Sequence, residues 1–164
     1  MSTLTAGKIA PAFALKGLDG KKHALKDALA RGPVLAAFFK VNCPTCQYTL
    51  PFVERLYQQF RPKGAHIWAI SQDDVRDSQR FAKECGLTYP ILIDDDPYET
   101  SRKYGLDYVP TLFLIAPDGH VQLASEGFAK ADLMVIQKAL AKHFSVPAGE
   151  LFQPREQVPE YKPG

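Results

Sequence analysis

The chain has 164 residues, 46% hydrophobic and 23% charged, with 20 Lys and Arg against 18 Asp and Glu, a formal net charge of +2. That length suits one domain with a short extra segment and can bury about 70% of its unfolded surface without staples. The near-balanced charge excludes a strongly basic nucleic-acid or membrane-surface binder and an acidic disordered chain as the main character. No apolar run approaches the roughly 20 residues that cross a bilayer, and Gly7, Lys8 and Pro11 interrupt Met1 to Leu15 before it resembles a secretory leader. The expected location is therefore the cytoplasm, or outside it if a leader was removed.

Ala12 to Leu15 and Lys21 to Ala24, around the Asp19-Gly20 turn, predict a short hairpin. Asp27 to Ala30 predicts one helical turn ended by Gly32 and Pro33. Val34 to Val41 is a nearly continuous apolar run with two adjacent phenylalanines, the pattern of a strand buried on both faces. From Pro44 the period changes: Leu50, Val53, Leu56, Tyr57 and Phe60 predict an amphipathic helix closed by Pro62 and Gly64. A second buried strand follows at His66 to Ile70. Then comes a helix capped by Asp73 or Asp74 and ended by Gly86, and a short strand at Ile91 to Ile93. Asp96 is expected to cap a helix with Pro97 in its first turn and Gly105 at its end. Thr111 to Ile115 and Val121 to Ser125 flank the Pro117-Asp118-Gly119 turn, and Leu133, Ile136, Leu140 and Phe144 mark a last helix. The order β-α-β-(α-β-α)-β-β-α predicts an α/β domain over residues 1–146, a mixed central sheet with helices on both faces. Residues 147–164 hold four of the prolines and little periodicity. They are expected to form an extended proline-rich tail; the alternative is a strap docked through Leu151, Phe152 and Tyr161.

Cys43-Pro44-Thr45-Cys46 sits where the buried strand gives way to the long helix. A sulfur at a helix N-terminus meets unpaired N–H groups and the positive end of the macrodipole, which favour the thiolate. Cys43 is therefore the expected nucleophile in disulfide exchange, and Cys46, one turn inside, the resolving thiol. Pro44 suits the first helical position, where its missing N–H costs nothing. Zinc would need a second ligand pair, which the chain lacks. Cys85 falls on an apolar helix face and reads as a small buried hydrophobe, with a third redox thiol as the alternative. Asp94-Asp95-Asp96 lacks the glycine and distal glutamate of a calcium loop and reads as a solvated turn. Lys40, at the strand end, is a candidate cation beside the Cys43 thiolate.

The buried strand, CxxC, Pro51 five residues after Cys46, and Val109-Pro110-Thr111 before a later strand together resemble the thioredoxin superfamily. The resemblance implies a thioredoxin-like fold, a cis Pro110 facing the sulfurs, and a Val109 backbone that pairs with substrate peptide. It also places Asn42 beside the substrate, with Pro44, Thr45, Pro51 and Lys40 as supporting residues. A cis X-Pro turn without an N–H donor can pack against a reactive sulfur. Gly7 to Leu25 and the inserted segment Ser71 to Tyr108 are similar to the redoxin branch, which contains peroxiredoxins and TlpA/ResA-type thiol-disulfide oxidoreductases. Ala36 and Lys40 stand where a peroxiredoxin carries its proline and hydroxyl residue, which argues against efficient peroxidase chemistry. Asn42 and Ala37 replace the tryptophan and buried aspartate of thioredoxins, and Thr49 replaces a ResA-type glutamate, leaving no obvious carboxylate to take the Cys46 proton. The implied function is a thiol-disulfide oxidoreductase with protein or small-molecule disulfide substrates and a thiol electron donor. It needs no bound organic cofactor or metal, and no nucleic-acid partner is expected. A peroxiredoxin-like peroxidase and a redox-sensing binding module are the alternatives.

Overall fold

A computed structural model describes residues 3–164; Met1 and Ser2, at the start of the predicted N-terminal segment, lie outside the described residues. The predicted hairpin is β1 (Ala14–Lys16) against β2 (Lys22–Ala24), followed by the one-turn α1 (Leu25–Leu29). The sheet is built from β3 (Val34–Phe39), β4 (His66–Ser71), β5 (Ile91–Ile93), β6 (Thr111–Ile115) and β7 (Val121–Glu126). Its order is β5-β4-β3-β6-β7, with β3, β4 and β5 parallel and β6 and β7 antiparallel.

Every residue of β3 is buried, because this central strand has a packed layer on both faces. Leu35, Ala37 and Phe39 point into one core with Leu50, Val53, Leu56 and Phe60 of α2 (Pro44–Phe60). Phe81 of α3 (Val75–Cys85) and Leu133, Ile136 and Leu140 of α5 (Lys130–Phe144) complete that side. The alternate residues Val34, Ala36 and Phe38 meet Phe13, Leu25, Trp68, Tyr104 and Phe113 on the other face. The period-2 alternation of a strand thus supplies both cores from one apolar run.

Two expectations need correction. Asp96 does not cap a helix: the Asp96-Pro97 bond is cis, and α4 (Glu99–Lys103) begins two residues later behind Tyr98. The carboxylate that serves this turn is Asp94, which is buried and accepts from the Thr100 and Ser101 amides and the Ser101 hydroxyl. The acidic run is therefore not a fully solvated turn. Burial at the end of β5 makes Asp94 answer the free N–H groups of α4.

The second correction concerns the tail. Residues 147–164 are not a free appendage; they fold back along α2. Leu151 is 5% exposed, and Phe152 packs on Phe52 with ring centroids 5.1 Å apart. Arg55 holds both carboxylate oxygens of Glu156 at 2.7 and 2.6 Å and donates to the Leu151 carbonyl. Beyond it, β9 (Tyr161–Lys162) pairs antiparallel with β8 (Phe128–Ala129), a two-residue strand between β7 and α5. Tyr161 takes part through its backbone while its side chain stays exposed.

Candidate active site

The carboxyl end of β3 delivers the chain to the N-terminus of α2, and Cys43 is the N-cap residue. Its backbone is extended, and its own sulfur accepts the Cys46 amide at 3.1 Å, so the thiol occupies the place a capping oxygen usually takes. Pro44 fills the first helical position. Pro51, seven residues on, removes one N–H from the helix interior. The helix continues through it because Leu50, Phe52 and Val53 are locked in the core.

Across from this turn lies the cis Val109-Pro110 bond, and the Val109 carbonyl sits 3.5 Å from the Cys43 sulfur. Cys43 is 8% exposed, whereas Cys46 is fully buried. Burial pushes the Cys46 thiol well above its ordinary value and its contact with Cys43 pushes the same way; the Lys40 backbone amide pulls against them, and the charge of Asp73 adds the smallest upward push. The two sulfurs therefore differ in kind. One sits at the surface end of a helix dipole, and the other is kept protonated until something takes its proton.

The structure brings Cys43, Thr45, Cys46, Val109 and Pro110 together. Asn42 and Pro44 are exposed beside them, and the side chain of Lys40 is exposed as well. Asn42 lines an open groove of about 630 Å³ together with Val41, Gln47, Asp73, Phe81 and Cys85. Cys85 is half-buried rather than a core residue, and burial followed by the charge of Glu84 raises its thiol.

Sequence reasoning missed Asp73. It follows β4, next to β3 in the sheet, and its carboxylate accepts the Val41 amide at 2.8 Å while the Ser71 hydroxyl accepts the Asp73 amide. The signal was present: ligands and reacting groups of open α/β sheets gather at the carboxyl ends of neighbouring strands. Among the described residues no group of three or more His, Cys, Asp or Glu side chains is arranged to hold a metal ion. No helix among them is long and apolar enough to cross a membrane.

Residues 6–124 match the AhpC/TSA family. The chain belongs to that family. The thiol-disulfide oxidoreductase ResA of Geobacillus thermodenitrificans is 32% identical over 122 residues, covering 74% of this chain and 69% of ResA. ResA of Bacillus thuringiensis is 36% identical over 116 residues, covering 70% of this chain and 66% of that relative. The matched stretch thus spans about two thirds of these relatives. Among solved structures, the thioredoxin domain of a thiol-disulfide oxidoreductase from Bacteroides vulgatus superposes with a TM-score of 0.74 at 24% identity, over 84% of this chain and 99% of that one, which shows the fold. This AhpC/TSA member is a thioredoxin-like oxidoreductase of the redoxin branch carrying a CxxC pair. The family match ends before α5 and the tail.

Proposed function

We propose that the chain reduces disulfides in protein substrates through Cys43 and Cys46. The observation that carries this reading is the asymmetry of the pair: Cys43 caps α2 and faces the Val109 carbonyl, while Cys46 is buried one turn inside with a raised thiol. The Cys43 thiolate attacks one sulfur of the substrate disulfide. That S–S bond breaks, a mixed disulfide forms, and the departing substrate thiolate takes up a proton. Cys46 then gives up its proton and attacks the Cys43 sulfur. The second substrate sulfur leaves as a thiol, and the Cys43–Cys46 disulfide retains the oxidising equivalents until a thiol donor resets it. Asp73 holds the Val41 amide two residues before Cys43 and lines the groove with Asn42; on that placement we assign to it the proton that Cys46 releases, its charge being the smallest of the influences on the Cys46 thiol. A reducing compartment such as the cytoplasm would hold the pair as the resting dithiol, which this direction of electron flow requires.

The test is single-turnover reduction of a protein disulfide by the pre-reduced chain, read by thiol trapping. Cys43→Ser abolishes the reaction, and Cys46→Ser accumulates a mixed disulfide on Cys43. Turnover in the Cys43→Ser chain would overturn the assignment.

A further inference from the structure

The last residues of the described chain lie across the redox site. The Thr45 hydroxyl, inside the CxxC motif, donates to the Pro163 carbonyl at 2.6 Å. Lys162 places its ammonium 4.6 Å from the ring centroid of Tyr48, on the first turns of the same helix. Gly164 lies so close to the Val109 carbonyl that a side chain there would collide with it, and that same carbonyl faces the Cys43 sulfur. On the opposite side Gly127, with φ +72, lets the tail backbone approach where any Cβ would run into the Lys162 carbonyl. Glycine at both points of closest approach leaves room for a main chain in this cleft.

Resting on the function proposed above, the geometry points to Tyr161–Gly164 as an internal occupant of a second groove, between β8, Tyr48 and Val109, that an extended substrate peptide enters, so that peptide exchange at Cys43 requires this segment to leave. The way it is held fits that role. Residues 151–156 are anchored by a buried leucine, an aromatic contact and the two-oxygen grip of Arg55 on Glu156. Residues 161–164 are exposed and held by a two-residue ladder, one hydroxyl bond and one cation over a ring. Each of these contacts is weak, so an incoming strand that pairs with β8 can replace them. Residues 151–156 are thus a firm anchor followed by a displaceable segment at 161–164. The occupant also indicates what the groove accepts: an extended stretch with a cation for the Tyr48 face and a small residue beside Val109.

The test uses the full chain as Cys46→Ser/Cys85→Ala, followed by amide exchange at Lys162, which pairs with Phe128 in the β8–β9 ladder. One sample is free. A second is capped on Cys43 with a methylthio group. A third is trapped with a decapeptide whose single cysteine is activated as its thionitrobenzoate disulfide; the Cys43 thiolate displaces thionitrobenzoate and forms the peptide mixed disulfide. The Lys162 amide is expected to exchange at least tenfold faster in the peptide adduct and to stay protected under the methylthio cap. Unchanged protection in the peptide adduct overturns the proposal, because the segment is then a fixed wall of the groove. Loss of protection in both adducts also overturns it, because the segment then only shields the sulfur. Absence of thionitrobenzoate release sinks the exchange reading itself, and this inference with it. Independently, Lys162→Glu in the otherwise unchanged chain should speed reduction of a peptide disulfide two- to fivefold; an unchanged rate counts against displacement.

Discussion

Truncating Leu151 to alanine asks whether the tail is part of the folded domain. Leu151 is 5% exposed and belongs to the core that includes Phe52 and Val53 of α2. Leu151→Ala removes three carbons from that environment, a loss of roughly 2 kcal/mol from transfer alone at about 0.8 kcal/mol per buried CH₂. Buried Leu→Ala changes cost about 2–5 kcal/mol, the spread reflecting how far the site collapses. The tail lies on the outside of α2 and can settle inward, so the low end applies, about 2–3 kcal/mol. For a domain of this size each kcal/mol moves Tm by about 2–4 °C, so the variant should melt roughly 4–12 °C lower. Urea unfolding followed by circular dichroism, with the midpoint falling and the slope unchanged, is the assay. A loss below about 0.5 kcal/mol, the size of an ordinary surface change, would refute the docking argument and restore the free appendage that the prolines suggested.

Other outcomes follow from the site. In the reduced chain, iodoacetamide should modify Cys43 and leave Cys46 untouched between about pH 6 and 9, because burial first and Cys43 second hold the Cys46 thiol up; mass spectrometry showing Cys46 labelled first would contradict this. Asp73→Asn removes a negative charge that raises the Cys46 thiol. In a Cys43→Ser background its alkylation midpoint should therefore move to lower pH, while release of substrate from the wild-type mixed disulfide slows as its proton acceptor is lost. A faster release would argue that Asp73 acts only as a charge. Glu156 is held down to about 2, chiefly by the Arg55 guanidinium and then by the Gln153 amide. A depressed carboxyl contributes fully above its ordinary value of 4.5 and loses that contribution as pH falls toward its folded value. The Gln153 amide resonance should titrate with its midpoint near the folded value of about 2 and be flat above the ordinary 4.5; a midpoint near 4.5 would show that the Arg55 grip is absent.

What could be read in advance followed the range of the forces involved. Val34 to Phe39 declared a doubly buried strand because both of its neighbours in the sheet and both cores demand apolar residues there. Leu50, Val53 and Phe60 declared α2 by their period, and Cys43 and Cys46 stood at the junction between the two patterns. Tail docking was not legible in the same way. Leu151 and Phe152 are isolated among prolines, and their partners Phe52 and Arg55 are about a hundred residues away. Asp94 and Asp96 are chemically alike, and only burial at the end of β5 decides which one meets α4. Asp73 read as a possible helix cap, yet Asp74 takes that task and leaves Asp73 free to face the Cys43–Cys46 turn through Val41.

The central claim is that Cys43 and Cys46 interconvert between dithiol and disulfide as one unit. Equilibrating the full chain in thiol–disulfide buffers spanning about −320 to −120 mV, with acid quenching and thiol trapping, tests it directly. The account predicts a single two-electron transition in which Cys43 and Cys46 disappear together and Cys85 stays free. Failure to form a Cys43–Cys46 disulfide at any poise, or pairing of either sulfur with Cys85, would contradict it.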